Sequence, residues 1–465
     1  MKNVTIILFG ATGDLSKRKI IPALYRFVVH NKLENFTIVG AAFDDVTSHQ
    51  MIDAAQPFVE NGDEKIWDLL HKNSFYKKVN FIEPDDYQEL NTFVQECERK
   101  QGIHGDRLFY VATSASFFCS ITQSCSRVGL LQRKDIRDAV WHRIVYEKPF
   151  GFDLKSAQEI NECIKNTINE TQVYRIDHYL TKEVVSNIAM IRFTNCVLEP
   201  LWSNRYIDQV HIVLSESGGI EGRGIYYDAA GALRDVVQNH MLEMLALICM
   251  ESPEKLSGDY IRAERVKVLE KIRFVDGILG QYIGYTSEKS VKESSHTDTY
   301  ALLKLAVDTP RWLGVPFYLK TGKRLDKKET VIYIKFKQVD CLLTRGCPTD
   351  SNWLTLQIAP EAIFSLTLNA KVPGKSDQVM PVEMEFCHSC LYGLQTPEAY
   401  EVLIEEVMRG EQSISVRFDE IEYAWKLIDT IAAQKLPVYS YDQGSTGPQE
   451  EKQFDDKHGV AKKTS

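Results

Sequence analysis

Through the first third of the chain, short β-rich apolar runs alternate with longer amphipathic stretches, the pattern of a parallel sheet flanked by helices. The strand-like runs are Val4–Phe9, Phe36–Ala42, Tyr76–Phe81, Arg107–Ala112 and His142–Tyr146, and the helical stretches are Ile20–Val29, Gln50–Lys72, Tyr87–Lys100, Ser116–Val128 and Leu154–Ile168. After Val173–Ile176 and the apolar Val184–Phe193 the character changes. Tyr206–Leu214 alternates like an antiparallel strand, and Asp228–Met250 carries Leu233, Val237, Met241, Met244 and Ile248 on one helical stripe. Six short β-rich runs then follow at Ala301–Leu305, Pro316–Leu319, Thr330–Phe336, Trp353–Ile358, Phe364–Leu368 and Val382–Phe386, and Leu403–Arg409 and Glu420–Ala433 read as closing helices. The pattern predicts an α/β domain over 1–174 and a larger α+β domain over 175–465 with a mixed, mostly antiparallel sheet. The polar tail from Gly444 reads as loose at its end.

Punctuation between these elements carries the first chemistry. The opening strand ends in Gly10-Ala-Thr-Gly13-Asp-Leu before a helix, an incomplete form of the glycine turn that lets a pyrophosphate approach a helix N-terminus. A plain β-α turn is the alternative. The second strand ends in Phe43-Asp44-Asp45, where an acid reaches ribose hydroxyls in NAD sites. Gly10, Asp44, Thr113 and Lys148 all fall at carboxyl ends of strands, where such sheets bind ligands, which makes the first domain Rossmann-like. Lys148 stands in Glu147-Lys-Pro-Phe-Gly151, whose Pro149 is a candidate cis residue.

Composition narrows the classes. The 465 residues are 44% hydrophobic and 26% charged, with a net charge of −9. No apolar run approaches the roughly 18 residues of a membrane span. An acidic chain lacks the basic face that a nucleic-acid binder needs, so neither membrane nor nucleic acid is an expected partner. The chain begins directly in a strand pattern, without the segments of a secretory signal, and a cytoplasmic address is expected. The 10 cysteines, Cys119, Cys125, Cys387 and Cys390 among them, read as thiols, and no metal is expected.

Two further clusters suit an anionic substrate. Arg175–Glu183 gathers a carboxylate, an imidazole, a phenol and an ammonium where a strand meets a helix; the alternative is a solvated junction whose charges pair with one another. Lys320-Thr-Gly-Lys323 runs into Lys327-Lys328, a solvated turn or a set of phosphate donors. His240 lies at the edge of the apolar stripe, where a lone histidine is usually structural. With an orienting carboxylate it becomes a general base, and Asp177 is the candidate.

Taken in order, Gly10–Lys19, Glu147–Gly151, Arg175–Glu183, Gly222–Asp228, Arg234–His240, Val315–Lys323 and Gly444–Pro448 resemble the glucose-6-phosphate dehydrogenases over nearly the whole chain. The resemblance implies a Rossmann coenzyme domain, a larger substrate and oligomerisation domain, and oxidation of glucose 6-phosphate at C1. By the same resemblance His240 is the base and Asp177 its orienting carboxylate. His178, Tyr179 and Lys182 form the phosphate clamp, and Lys148, Glu216, Asp235, Lys323 and Lys328 hold sugar hydroxyls or phosphate. Gly10, Thr12, Gly13, Asp14, Leu15, Asp44, Thr113 and Lys148 would line the coenzyme. A homodimer or homotetramer is expected. Rival readings are a dehydrogenase of another hexose 6-phosphate, such as an amino sugar, and a non-catalytic sugar-phosphate or nucleotide sensor.

The chain departs from the family pattern at three places. Thr181 stands where relatives carry glycine; its β-branch disfavours positive φ and is expected to tilt the phosphate clamp. Phe43, followed by Asp44 and Asp45, stands where NADP-using relatives carry arginine, so NAD is expected over NADP unless Lys17, Arg18 or Lys19 holds a 2′-phosphate. Ala112-Thr-Ser-Ala115 replaces a proline-bearing turn, with no consequence deduced.

Overall fold

The structure is a computed structural model that describes residues 2–103, 105–135, 138–339, 349–375, 378–387 and 398–463. The chain divides into two compact units, one of Met1–Thr181, Ser257–Asp259 and Pro397–Phe418, the other of Lys182–Leu256, Tyr260–Thr396 and Asp419–Ser465.

In the first unit β1 (Lys2–Phe9), β2 (Asn35–Ala42), β3 (Ser74–Lys78), β4 (Asp106–Val111), β5 (His142–Tyr146) and β6 (Val173–Arg175) form a parallel sheet in the order β3-β2-β1-β4-β5-β6. Parallel strands need helical crossovers on both faces, which is why the central ones read as almost unbroken apolar runs. Ile7, Phe9, Val39, Phe109, Val111 and Ile144 are buried with Phe118 and Ile121 of the helix Phe118–Arg127. Strand order reverses between β1 and β4, and this leaves a crevice at their carboxyl ends.

The second unit carries a nine-stranded sheet in the order β14-β13-β12-β11-β7-β10-β9-β8-β15. Its members are β7 (Ile207–Ser215), β8 (Ile272–Tyr282), β9 (Tyr300–Val307), β10 (Pro316–Gly322), β11 (Glu329–Phe336), β12 (Trp353–Ala359), β13 (Ile363–Lys371), β14 (Val379–Cys387) and β15 (Val438–Tyr441). The β7–β10 and β8–β15 pairs are parallel and the rest antiparallel. Thus two adjacent carboxyl ends, those of β7 and β10, open on the same edge.

Several expectations need correction. The stretch Gln50–Lys72 is two helices, Ser48–Asp53 and Glu64–Asn73, because Pro57 and Gly62 interrupt it and Asp63 caps the second by accepting from the Lys65 amide at 2.8 Å. Strands β8 and β15 escaped the periodicity because glycines interrupt β8; a Cβ on Gly280 would lie 2.8 Å from the Pro448 ring. As far as Lys463 the tail is not loose. Glu450–His458 is a helix that buries Phe454 among the tyrosines of the sheet, and Gln209 binds the Gly459 carbonyl and the Ala461 amide at 2.7 and 2.9 Å. Cys119 is not a free thiol but pairs with Cys163 between two packed helices, Cα to Cα 5.9 Å. Cys387 is disulfide-bonded as well, whereas Cys125 is free and Cys390 lies outside the described residues.

The long helix over Asp228–Met250 is broken too. Gly224–Ala232 ends at Gly231, which has φ 66° and ψ 178°, and the chain resumes as wide π-turns over Leu233–Met241 before Leu242–Cys249. Only glycine adopts that backbone readily, and a Cβ there would lie 2.4 Å from an Asp298 carboxylate oxygen.

Candidate active site

In the first unit the glycine turn is held from both sides. Gly10 donates to the Ala41 carbonyl at 2.8 Å, Gly13 to the Gly10 carbonyl at 2.9 Å, and the Ser16 hydroxyl to that same carbonyl at 2.8 Å. Gly10 has φ 76°, and a Cβ on it would meet the Ala112 carbonyl at 2.4 Å and the Thr113 methyl at 3.3 Å. Close approach of β1 and β4 therefore requires glycine. Leu15 opens the following helix, whose first amides have no partner within it and suit a pyrophosphate.

Around that turn the carboxylates are already engaged. Asp44, exposed at the end of β2, accepts from the Thr12 hydroxyl, so Thr12 and Asp44 flank one point above the turn. Asp14 pairs with Arg18 at 2.7 Å, and that guanidinium lies 5.0 Å above the Phe58 ring. Lys148 precedes a cis peptide to Pro149, as the sequence anticipated.

Sequence reasoning passed over Glu147, although it stood beside Lys148 in the quoted motif. Its carboxylate accepts from the Tyr110 hydroxyl at 2.6 Å and from Tyr400. Burial pushes it up to about 7, against the pull of those phenols and of Lys148, and Asp177 pushes it further in the same direction.

The run Arg175–Glu183 is divided by the unit boundary after Thr181. Arg175 is structural: its guanidinium binds Glu170 at 2.5 Å and its amide the Ser415 hydroxyl at 3.1 Å. Buried Asp177 folds the chain into a turn by accepting from the Tyr179 amide at 2.9 Å, and the His178 and Tyr179 rings stand 4.8 Å apart. The ground for a tilt at Thr181, a positive φ, is not met. The Thr181 hydroxyl donates to the His178 carbonyl at 2.8 Å, a bond glycine cannot make.

In the second unit the parallel β7–β10 pair places Glu216 and Lys323 one residue beyond adjacent strand ends, where they form an ion pair. The Glu216 amide donates to the Gly322 carbonyl at 2.9 Å, the Lys323 amide to the Thr299 carbonyl at 2.9 Å, and the Tyr441 hydroxyl to the Lys323 carbonyl at 2.7 Å. The Lys323 ammonium also lies 5.2 Å from the centre of the Tyr227 ring. Tyr226 and Tyr227, unremarked in Gly222–Asp228, are thus part of the cluster: Tyr226 donates to Asp235 at 3.2 Å. Lys328 stands apart from that ion pair. It is exposed, and among the described residues it bonds to neither Glu216 nor Lys323.

Asp235 and His240 share the π-turns of Leu233–Met241, and both are buried. Asn239 clips the segment together, accepting from the His240 amide at 2.7 Å and donating to the Asp235 carbonyl at 3.1 Å. At its start the Asp298 carboxylate accepts from the Leu233 amide at 2.8 Å, and the Asp298 carbonyl accepts from Ala232 at 2.8 Å. Lys182, by contrast, precedes the helix Glu183–Phe193 as its N-terminal flank. A cavity of about 300 Å³ in this unit, lined by His211, Tyr318, Trp353 and Glu451 among others, takes in Lys320 and Lys327 of the basic run but none of the residues that the resemblance assigns to substrate or coenzyme.

A parallel sheet that reverses its strand order beside a glycine turn, joined to a second unit with a buried imidazole and a carboxylate–ammonium pair, defines the class of dinucleotide-binding proteins with a separate ligand domain. Comparison with known proteins is more specific. Residues 7–187 match the glucose-6-phosphate dehydrogenase NAD binding domain, and 189–462 match the C-terminal domain of the same family. The chain is 39% identical over 473 residues to the glucose-6-phosphate 1-dehydrogenase of Chlamydia muridarum, covering 96% of this chain and 93% of that one. It is 38% identical over 469 residues to the enzyme of Bacillus subtilis, covering 96% and 95%. A solved glucose-6-phosphate dehydrogenase in complex with its substrate glucose-6-phosphate superposes with a TM-score of 0.92 at 32% identity, over 100% of this chain and 99% of that one. The chain belongs to the glucose-6-phosphate dehydrogenase family.

Asp298 yields a pH dependence. Burial raises its carboxyl from 3.8 to about 6, although the Leu233 amide favours the charged form. A folded value above the unfolded one means that the contribution to stability is full below about 4 and is lost as pH rises through about 6. Asn at this position does not ionise, so Asp298→Asn should gain on the parent between about pH 4 and 7, by at most about 3 kcal/mol. Thermal melting of both proteins across that range measures it; a constant difference in Tm would rule out ionisation of Asp298 there.

Proposed function

We propose that this protein oxidises β-D-glucose 6-phosphate at C1 to 6-phospho-D-glucono-1,5-lactone with a nicotinamide coenzyme, the first step of the pentose phosphate pathway. The observation that carries this is 39% identity to a glucose-6-phosphate 1-dehydrogenase across 96% of the chain. A nicotinamide coenzyme held by its pyrophosphate at the glycine turn would supply the acceptor for the hydride that leaves C1. His240 takes the C1 hydroxyl proton as the carbonyl forms, a role worth roughly 10²–10⁴-fold in rate. Asp177 orients that imidazole and stabilises its cation. His178, Tyr179 and Lys182 bind the phosphate dianion, while Lys148, Glu216, Asp235 and Lys323 hold sugar oxygens or phosphate. The setting is cytoplasmic.

The coenzyme is NAD in this reading. Gly10, Thr12, Gly13, Asp14 and Leu15 would hold the pyrophosphate, and Thr113 and Lys148 would serve the nicotinamide end. Asp44 accepts the free ribose hydroxyls and repels a 2′-phosphate. Of the three cations Lys17, Arg18 and Lys19, two are engaged, Arg18 with Asp14 at 2.7 Å and Lys19 with Glu398 at 3.5 Å, which supports this preference. The assembly is a homodimer or homotetramer through the outer face of β14, where Met380, Val382, Met384 and Phe386 are 47, 38, 61 and 42% exposed. Among the described residues no helix is long and apolar enough to cross a membrane.

Steady-state kcat/KM should favour NAD over NADP by about tenfold or more, the scale of one like-charge contact; preference for NADP would sink the coenzyme assignment. His240→Asn should lose about 10²–10⁴-fold in kcat while the KM for glucose 6-phosphate stays within a few-fold. A near-parental rate would place the base elsewhere. Light scattering of Met384→Lys should report a smaller assembly than the parent, and an unchanged mass would exclude the β14 face.

A further inference from the structure

The end of β2 is fixed with more care than an exposed turn requires. The Tyr76 hydroxyl, reaching over from β3, donates to the Asp44 carbonyl at 2.6 Å and lies 3.3 Å from the Ala42 carbonyl. Between those two residues Phe43 is held by its ring, which packs against Phe81 at 4.5 Å and Phe117 at 5.6 Å. Phe81 and Phe117 in turn touch at 5.6 Å, so the three rings close on one another. Beyond the backbone, the Asp44 side chain is tethered by the Thr12 hydroxyl.

Tyr76 can reach Asp44 because its own strand lies parallel beside β2, with Gly40 opposite Tyr76 in register. A Cβ on Gly40 would stand 3.2 Å from the Tyr76 ring and 2.2 Å from the Met51 sulfur, so the phenol crosses a spot kept open by glycine. The hydroxyl is committed to donation. Partial burial, together with the charges of Asp44 and Asp45, raises it to about 12.

We infer that Tyr76 is a positioning residue for coenzyme choice: its hydroxyl fixes the backbone of Asp44 so that the carboxylate stands ready for the adenosine ribose before the coenzyme arrives. This rests on the reading that Asp44 accepts the ribose hydroxyls. Free binding energy is then not spent on ordering the turn, and the gain falls on the coenzyme whose hydroxyls Asp44 receives. A coenzyme carrying a 2′-phosphate gains nothing from a better-held carboxylate, because that charge opposes it. Tyr76 touches neither coenzyme nor substrate in this scheme. Its effect passes through one carbonyl.

The test uses three variants of the full-length enzyme, Tyr76→Phe, Asp44→Asn and the double variant, each melted thermally and assayed with NAD and NADP varied at saturating glucose 6-phosphate, and with glucose 6-phosphate varied at saturating NAD. Tyr76→Phe keeps the ring and removes only the donor. It should raise the KM for NAD about three- to tenfold, the effect of one lost hydrogen bond, with kcat and the KM for glucose 6-phosphate unchanged. The KM for NADP should not rise, so the NAD to NADP ratio of kcat/KM falls. In the Asp44→Asn background the same substitution should shift that ratio much less, because the carboxylate it positions is gone. Equal weakening toward both coenzymes, or a loss confined to Tm, would make Tyr76 structural only and overturn the inference. A ratio that falls with Asp44→Asn but not with Tyr76→Phe overturns the inference and leaves the reading of Asp44 standing. If Asp44→Asn leaves the ratio unchanged, the reading of Asp44 fails and the inference with it.

Discussion

The constraint on which the second unit turns is a carboxylate that must stay out of water. Asp298 is 9% exposed, yet it receives the amide of Leu233 at the start of the segment that carries Asp235 and His240. A helix beginning in the interior has donors that water cannot reach, and each unmet donor is costly, so a buried acceptor is needed at that point. Gly231 supplies the other half of the arrangement, because any side chain there would collide with that acceptor. The wide turns that follow are the usual mark of a functional insertion in a helix, and here they carry the two residues assigned to the sugar.

Adjacent to that segment, the sheet makes an exception to its own rule. Most of its neighbours are antiparallel, but β7 and β10 run together, and only a parallel pair ends on the same side. Glu216 and Lys323 therefore meet without any long loop to guide them, and the carbonyls of Thr299 and Gly322 together with the hydroxyl of Tyr441 hold the place where they meet. In the first unit the same logic gives Gly10, Asp44 and Thr113 their common edge, since all of them leave parallel strands at the carboxyl end.

Much of this was legible in the order of residues. The α/β alternation, the turn at Gly10 and the ends at Asp44 and Lys148 follow from local pattern, because a parallel strand buried on both faces announces itself as an apolar run. Gly222–Asp228 and Glu147–Gly151 were recognised as motifs, yet Tyr226, Tyr227 and Glu147 inside them were not singled out. Their importance lies in partners outside the motifs: Asp235 and Lys323 for the first two, Tyr110 and Tyr400 for the third. Thr181 shows the opposite error. A rule about glycine and positive φ was applied to a site whose backbone never visits that region, and the hydroxyl instead closes the turn. The break at Gly231 was missed because the helix was started at Asp228 although its apolar stripe begins only at Leu233, beyond the glycine, and the helix of the tail was hidden by its charge, although Phe454 anchors it.

The parallel pairing of β7 and β10 also limits how such a site can diverge over generations. Six consecutive residue pairs, from Phe317 with Val210 to Gly322 with Ser215, lock the strands in register. One inserted or deleted residue in either strand would turn every following side chain to the opposite face, and Glu216 and Lys323 would part. Lineages carrying this sheet can exchange the side chains at the strand ends freely, but their lengths up to those ends are inherited together or lost together.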